Sequence, residues 1–181
     1  LGVHSTRLAA DEWRSGFIAR RGPMAWKGLY SVLSLVGFVL LVWGYGQARQ
    51  QPVVLWAVPK GAAHLASLLT LVSFVLLAAK EIPGNGIKAR VHHPMTLGIK
   101  VWAFAHLLAN NTLADLVLFG SFLAWSVAIF VVARRRDRAA GTVYPRGKLS
   151  RTLMAVAAGI AVWLVFAMWA HGWLIGVRPF G

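Results

Sequence analysis

Long apolar runs alternate with short basic segments along this chain. The apolar runs cover residues 29–46, 61–79, 95–109, 112–133 and 152–174. A helix needs about 20 apolar residues to cross a hydrocarbon core about 30 Å thick. The pattern predicts an all-α fold, a polytopic transmembrane helical bundle of about five visible helices, with residues 1–181 as a single integral membrane domain. Leu1-Gly2-Val3 is typical of the end of a sixth, N-terminal hydrophobic segment.

Two interruptions divide the middle of the chain. Pro83-Gly84-Asn85-Gly86 ends the second apolar run, because Pro and Gly are strong helix breakers. The apolar stretch 95–133 is far longer than one membrane crossing requires and contains Asn110-Asn111. Thr112 and Asp115 have the spacing of a capping box, which marks the start of a helix. We therefore predict two helices that meet in a tight hairpin at the asparagine pair.

Basic residues are concentrated on one side of the predicted membrane topology. The chain carries 19 Lys and Arg against 5 Asp and Glu, for a formal net charge of +14. Segments 5–28, 80–100 and 134–151 contain 16 of the 19 basic residues. Since cytoplasmic loops of membrane proteins carry an excess of Lys and Arg, these segments are predicted to be cytoplasmic. No nucleic-acid-binding signature accompanies the charge, so the lipid bilayer is the expected partner.

Histidine is the residue type that best suits chemistry within this membrane domain. The chain has six histidines and no cysteine, which excludes thiolate metal sites and disulfides. On a helix, His106 shares one face with the small residues Gly98, Ala105 and Ala109, so it should point into the bundle. A histidine there is suited to haem ligation, but it can equally form a hydrogen bond with a neighbouring helix. Both interpretations stay open on the residue pattern alone.

Several short motifs together resemble the NnrU family of membrane proteins. They occur in the family's order between residue 1 and about residue 138: His4-Ser5, Trp26-Lys27-Gly28, Trp43-Gly44-Tyr45, Pro83-Gly84-Asn85, His92-His93-Pro94 and Ala105-His106. The resemblance implies a multi-pass protein of the bacterial inner membrane that supports nitrite and nitric oxide metabolism in denitrification. A membrane redox or denitrification complex is the implied protein partner.

The NnrU family is similar to 15-cis-ζ-carotene isomerase, a membrane enzyme that binds haem b through two histidines. One ligand lies in a His-Ser motif and the other lies thirteen residues beyond a His-Pro motif, which implies His4 and His106 as iron ligands here. The isomerase has a cysteine where this chain has Ala103, so a thiolate switch at that position is impossible. His64 and His171 share the expected depth of His106 and stay as alternative ligands.

The same resemblance suggests further residues around the haem b cofactor. His93 and Trp102 are expected to bind it, with Trp102 against the macrocycle. Basic residues on the cytoplasmic side are expected to pair with the propionates; the alternative candidates are Arg7, Lys88, Arg90 and Lys100.

Other functional classes fit the sequence as well. The protein could be a haem-dependent isomerase of a polyene, or a non-catalytic accessory subunit of a membrane redox complex. His93-Pro94 followed by Gly98 is similar to a segment of membrane methyltransferases that use S-adenosylmethionine, although a proline is also favoured in the first turn of any helix. No catalytic residue is predicted, and whether the protein is an enzyme stays open.

Overall fold

The computed structural model describes residues 1–180, and they contain helices but no β-strand. The all-α prediction is confirmed. The chain forms two compact units, Leu1–Val54 and Leu55–Gly181. The single membrane domain stays a prediction.

The first unit is dominated by one long, sharply bent helix. A 3₁₀ turn, Val3–Ser5, and a short helix α1, Thr6–Ala9, precede helix α2, Asp11–Ala48. Gly22 interrupts α2 with φ 83° and ψ 162°, immediately before Pro23. The bend brings Trp13 and Trp26 to 5.8 Å between ring centroids, whereas a straight helix would separate them by about 20 Å. The polar residues before the first apolar run are therefore helical and pack back against it.

The second unit contains the remaining helices. They are α3, Ala62–Glu81; α4, Gly86–Val91; α5, Pro94–Ala109; α6, Leu113–Ala139; α7, Leu149–Val165; a π-helical turn, Phe166–Ala170; and α8, His171–Ile175. Helix α3 packs against both α5 and α7, and α5 also packs against α6. The apolar runs predicted from the sequence match α2, α3, α5, α6 and the segment from α7 to α8. The short helix α4 was not predicted from the sequence.

Small residues form the interior of the second unit, and large apolar residues cover its outside. Ala79, Ala103, Ala105 and Ala155 are fully buried, whereas many Leu, Val, Phe and Trp side chains are exposed. A β-carbon on Gly159 would lie 2.5 Å from the Cα of Val75, so α7 and α3 are in close backbone contact. Interfaces of small residues with an apolar exterior are typical of helices packed within lipid.

Four helical segments are long and apolar enough to cross a membrane: Asp11–Ala48, Ala62–Glu81, Leu113–Ala139 and Leu149–Ile175. Helix α5 is shorter, about 24 Å for its 16 residues. Together with the apolar exterior, these segments identify a polytopic membrane protein.

The predicted break between α5 and α6 is confirmed. Helix α5 ends at Ala109, and Thr112 caps α6 through a reciprocal capping box with Asp115. The backbone N–H of Leu55 donates to the carbonyl of Asn111 at 2.8 Å, and the side chain of Asn111 donates to the carbonyl of Trp56 at 2.7 Å. These bonds fix the hairpin against the segment that leads into α3.

The opposite end of the second unit joins two of the basic segments. Lys148 donates its backbone N–H to the carbonyl of Gly84 at 2.8 Å, and Thr152 accepts a hydrogen bond from the N–H of Gly86. The buried Asn85 side chain caps α4 and also donates to the carbonyl of Ala79, at the end of α3. Segments 80–100 and 134–151 therefore lie at the same end, as the charge pattern predicts.

Candidate functional site

His106 lies in an aromatic cluster between α5 and α6. Its ring stacks against Phe119, with 4.6 Å between centroids, and lies 4.8 Å from the ring of Trp102. Trp102 in turn makes edge contacts with Phe119 and Phe122. The capping box at Thr112 fixes the start of α6, the helix that carries Phe119 and Phe122.

The hydrogen bond of His106 determines which ring nitrogen is available. Its Nδ1 lies 2.8 Å from the carbonyl oxygen of Trp102, one turn earlier on the same helix. A carbonyl oxygen can only accept, so Nδ1 must donate its proton. In a neutral imidazole, Nε2 then holds the lone pair. Metal-ligating histidines are commonly oriented in this manner, by donation from the other ring nitrogen to a backbone carbonyl.

His171 is another histidine of the second unit whose Nδ1 donates to a backbone carbonyl, which leaves Nε2 available to a metal. Its Nδ1 lies 2.6 Å from the carbonyl oxygen of Val177, and its ring makes an edge contact with Phe166 in the π-helical turn. His171 and Asp115 are both near enough to interact electrostatically with His106. His64, by contrast, is exposed in the first turn of α3.

His4, the other expected iron ligand, belongs to the first unit. It is exposed on the 3₁₀ turn, with its ring 4.9 Å from that of Tyr30. Although His4 is largely exposed, the part of its ring that is removed from water lowers the pKa of His4. That His4 and His106 bind one iron stays a prediction. Within residues 1–180, no three His, Cys, Asp or Glu side chains converge on one metal position. A haem iron needs only one or two protein ligands, since the porphyrin supplies the others.

The remaining expected cofactor residues occupy different environments. Trp102 adjoins His106, as described above. The ammonium group of Lys100 lies over the ring of Phe130, 4.4 Å from its centroid, and Arg90 is exposed. Nε2 of His93 lies 2.7 Å from Oδ2 of Asp137, so this imidazole already has a carboxylate partner.

Tyr144 also belongs to this polar contact, and it was not predicted from the sequence. Tyr144 donates its hydroxyl to the same Oδ2 of Asp137 at 2.8 Å. Burial raises the pKa of Tyr144, and so does Asp137, which keeps the phenol protonated as a donor. A signal was present in the sequence, because Asp137 is the only carboxylate of segment 134–151.

His92 precedes this contact in a strained backbone conformation. Its φ of 65° and ψ of −47° form a tight γ-turn, closed by a 2.8 Å bond from the N–H of His93 to the carbonyl of Val91. The ring stacks nearly parallel on Tyr144, with centroids 4.0 Å apart. Among the described residues 1–180, Nδ1 of His92 is buried without a hydrogen-bond partner. Such strain persists only where the surrounding structure holds it.

The His93-Pro94 motif and Gly98 have structural roles in this fold. Pro94 begins α5, where the missing N–H of proline costs nothing. A β-carbon on Gly98 would lie 3.2 Å from the carbonyl oxygen of Ser73, and the Ser73 hydroxyl donates to the carbonyl of Gly98 at 2.8 Å. The start of α5 therefore accounts for Pro94, and close packing of α5 on α3 accounts for Gly98.

Comparison with protein families gives a match over almost the whole chain. The model of the family described as NnrU protein matches residues 1–179. The chain belongs to the NnrU family. The match extends well beyond residue 138, so α7 and α8 are part of the NnrU unit although they carry few of the family's motifs. No curated protein and no solved structure matches the chain.

Proposed function

We propose that this NnrU protein binds haem b within its membrane helices and supports nitrite or nitric oxide metabolism in the bacterial inner membrane. His106 is the residue that would most directly hold the haem iron. Its Nδ1 donates to the carbonyl of Trp102, so the lone pair on Nε2 is available to an iron. This single hydrogen bond is the observation that carries the proposal.

The surroundings of His106 suit a large apolar cofactor. Trp102, Phe119 and Phe122 form an aromatic cluster beside the imidazole, and their rings can pack against a macrocycle. His4 is the second proposed ligand, on the basis of the family resemblance. His171 is the alternative within the same unit, because its Nδ1 is also bonded to a carbonyl.

Residues at the basic end complete the proposed cofactor environment. Arg90 and Lys100 are proposed to pair with the propionates. His93 is proposed to form part of the polar edge of the haem site, where its hydrogen bond with Asp137 holds the ring in position. When bound, the haem would supply an iron for redox chemistry or for binding a gas, and these residues would position it.

The purified protein tests this proposal by its visible spectrum in detergent. A Soret band that shifts on reduction supports haem binding. A colourless protein, prepared from haem-supplied cells, that binds S-adenosylmethionine would contradict it and favour the methyltransferase alternative. A colourless protein that binds neither haem nor S-adenosylmethionine would favour the remaining alternative, a non-catalytic accessory subunit of a membrane redox complex.

The biological role needs a separate test. A strain that lacks this protein should show reduced nitrite or nitric oxide reduction by its membranes, with restoration by the wild-type copy. Restoration by a His106→Ala copy would show that any role in denitrification does not require the proposed ligand. A role as a haem-dependent polyene isomerase predicts instead an altered cis–trans ratio of a supplied polyene and unaltered nitrite reduction.

A further inference from the structure

A cavity opens at the basic end of the second unit, outside the aromatic cluster of His106. Its volume is about 200 Å³. The lining residues come from the end of α3, from α4 and from the turn into α5; they are Lys80, Lys88, His92, His93, Pro94, Met95 and Thr96. Cationic and imidazole side chains therefore surround a space large enough for a phosphate-sized group.

The electrostatic environment of the cavity favours an anion. Segments 80–100 and 134–151, which meet at this end, carry 11 Lys and Arg against only Glu81 and Asp137. Both carboxylates already have partners within the protein. Glu81 pairs with Lys80 at 2.6 Å, and Asp137 accepts from Tyr144 and contacts His93. Lys88 forms no ion pair with any described residue, 1–180, so it is the lining cation whose charge is left for a ligand.

The combination of cationic and apolar residues in the lining favours the phosphate of a lipid over a free anion. Met95 places an apolar side chain beside the lysines and is 41% exposed, whereas Pro94 is buried in the cavity wall. A phospholipid offers the matching arrangement, with a phosphate next to an apolar chain. The predicted cytoplasmic side is also where anionic headgroups attract basic pockets between membrane helices.

The turn at His92 fixes the position of the cavity wall between α4 and α5. The positive φ of His92 and its stacking on Tyr144 hold the chain between α4 and α5, and Tyr144 is tied in turn to Asp137 on α6. The cavity wall is thus connected to three helices and does not depend on α4 alone. A site fixed in advance in this manner binds its ligand with little loss of conformational entropy.

We propose that this cavity binds the phosphate group of an anionic phospholipid, with Lys88 as its principal cation. The inference does not depend on haem binding by His106. Inorganic phosphate shares the same chemistry, and the experiment separates the two sources.

The test measures the full-length protein in nanodiscs and in detergent. Native mass spectrometry of protein extracted from nanodiscs with equal phosphatidylglycerol and phosphatidylcholine should show retention of phosphatidylglycerol. Lys88→Gln should weaken that retention about fivefold, as expected for one lysine near an anionic headgroup. Lys88→Arg should restore it. Lys148→Gln is the matched control, because Lys148 is exposed at the same end but does not line the cavity.

Each alternative outcome is distinguishable. Equal losses in Lys88→Gln and Lys148→Gln would reduce the effect to general surface charge and overturn the site. Thermal stabilisation by inorganic phosphate that depends on Lys88, without phosphatidylglycerol retention, would overturn the lipid source. Haem absorbance is recorded on the same samples. Loss of haem from Lys88→Gln with phosphatidylglycerol retained would assign Lys88 to the propionates and overturn the proposal, whereas lipid retention by a haem-free protein would leave it standing.

Discussion

The imidazole of His106 donates from Nδ1 to the carbonyl oxygen of Trp102, across 2.8 Å and one turn of α5. The bond fixes the tautomer and also the direction of the ring, which lies against Phe119. Trp102 therefore has two roles. Its backbone carbonyl orients His106, and its indole ring forms part of the adjoining aromatic cluster. The proposed haem ligand is thus held by its own helix before any cofactor arrives.

The close contact of α7 with α3 predicts a sensitive glycine. Gly159→Ala would place a β-carbon 2.5 Å from the Cα and 2.8 Å from the N of Val75, so the two helices must separate. Overpacking of this kind costs about 1–3 kcal/mol, measurable by denaturant unfolding in detergent. Gly120→Ala is the matched control, because its nearest neighbour would be 3.9 Å away. An unchanged or increased stability of Gly159→Ala would contradict the described packing.

The Tyr144–Asp137 hydrogen bond predicts a pH dependence at alkaline pH. The pKa of Tyr144 is raised in the folded protein, by burial and then by Asp137. The resulting stabilisation is fully present below the ordinary pKa of about 10 and is lost as the pH rises through the folded-state value. Tyr144→Phe should therefore cost about 1 kcal/mol at pH 7. The difference from wild type should shrink above pH 10, as followed by thermal unfolding between pH 7 and pH 11. A difference that grows with pH would contradict the hydrogen bond.

The charge distribution predicts the membrane orientation. Reporter fusions after Ala139, at the end of α6, should be cytoplasmic, and fusions after Gln51 should be periplasmic. Ala139 adjoins the basic segment 134–151, whereas Gln51 lies in a connector where Arg49 and Lys60 are the only basic residues. The reverse pattern of reporter activity would show that the charge argument has failed.

The sequence predicted local features better than contacts between distant residues. The hairpin at Asn110-Asn111 and the capping box of Thr112 were predictable because each depends on residues within one turn. The beginning of α2 at Asp11 was not, since its first turns are polar and are held by the contact of Trp13 with Trp26 beyond the bend at Gly22.

The candidate site shows the same limit. The inward face of His106 followed from helical periodicity, and the burial of Gly98 and Ala105 confirms that face. The contact of His93 with Asp137 joins residues 44 positions apart, and no short-range pattern reports such a pair. The turn at His92 depends on its packing against Tyr144, which is equally remote in sequence.

The spectrum of His106→Ala tests the central proposal most directly. Wild-type protein purified in detergent should show a six-coordinate, low-spin haem b spectrum, since two imidazoles are proposed to bind the iron. His106→Ala and His4→Ala should each lose the haem or convert it to a high-spin form, whereas His64→Ala and His171→Ala should keep the wild-type spectrum. A low-spin spectrum retained by His106→Ala would contradict the assignment of His106 as iron ligand, and its loss from His171→Ala would assign the ligand to His171 instead.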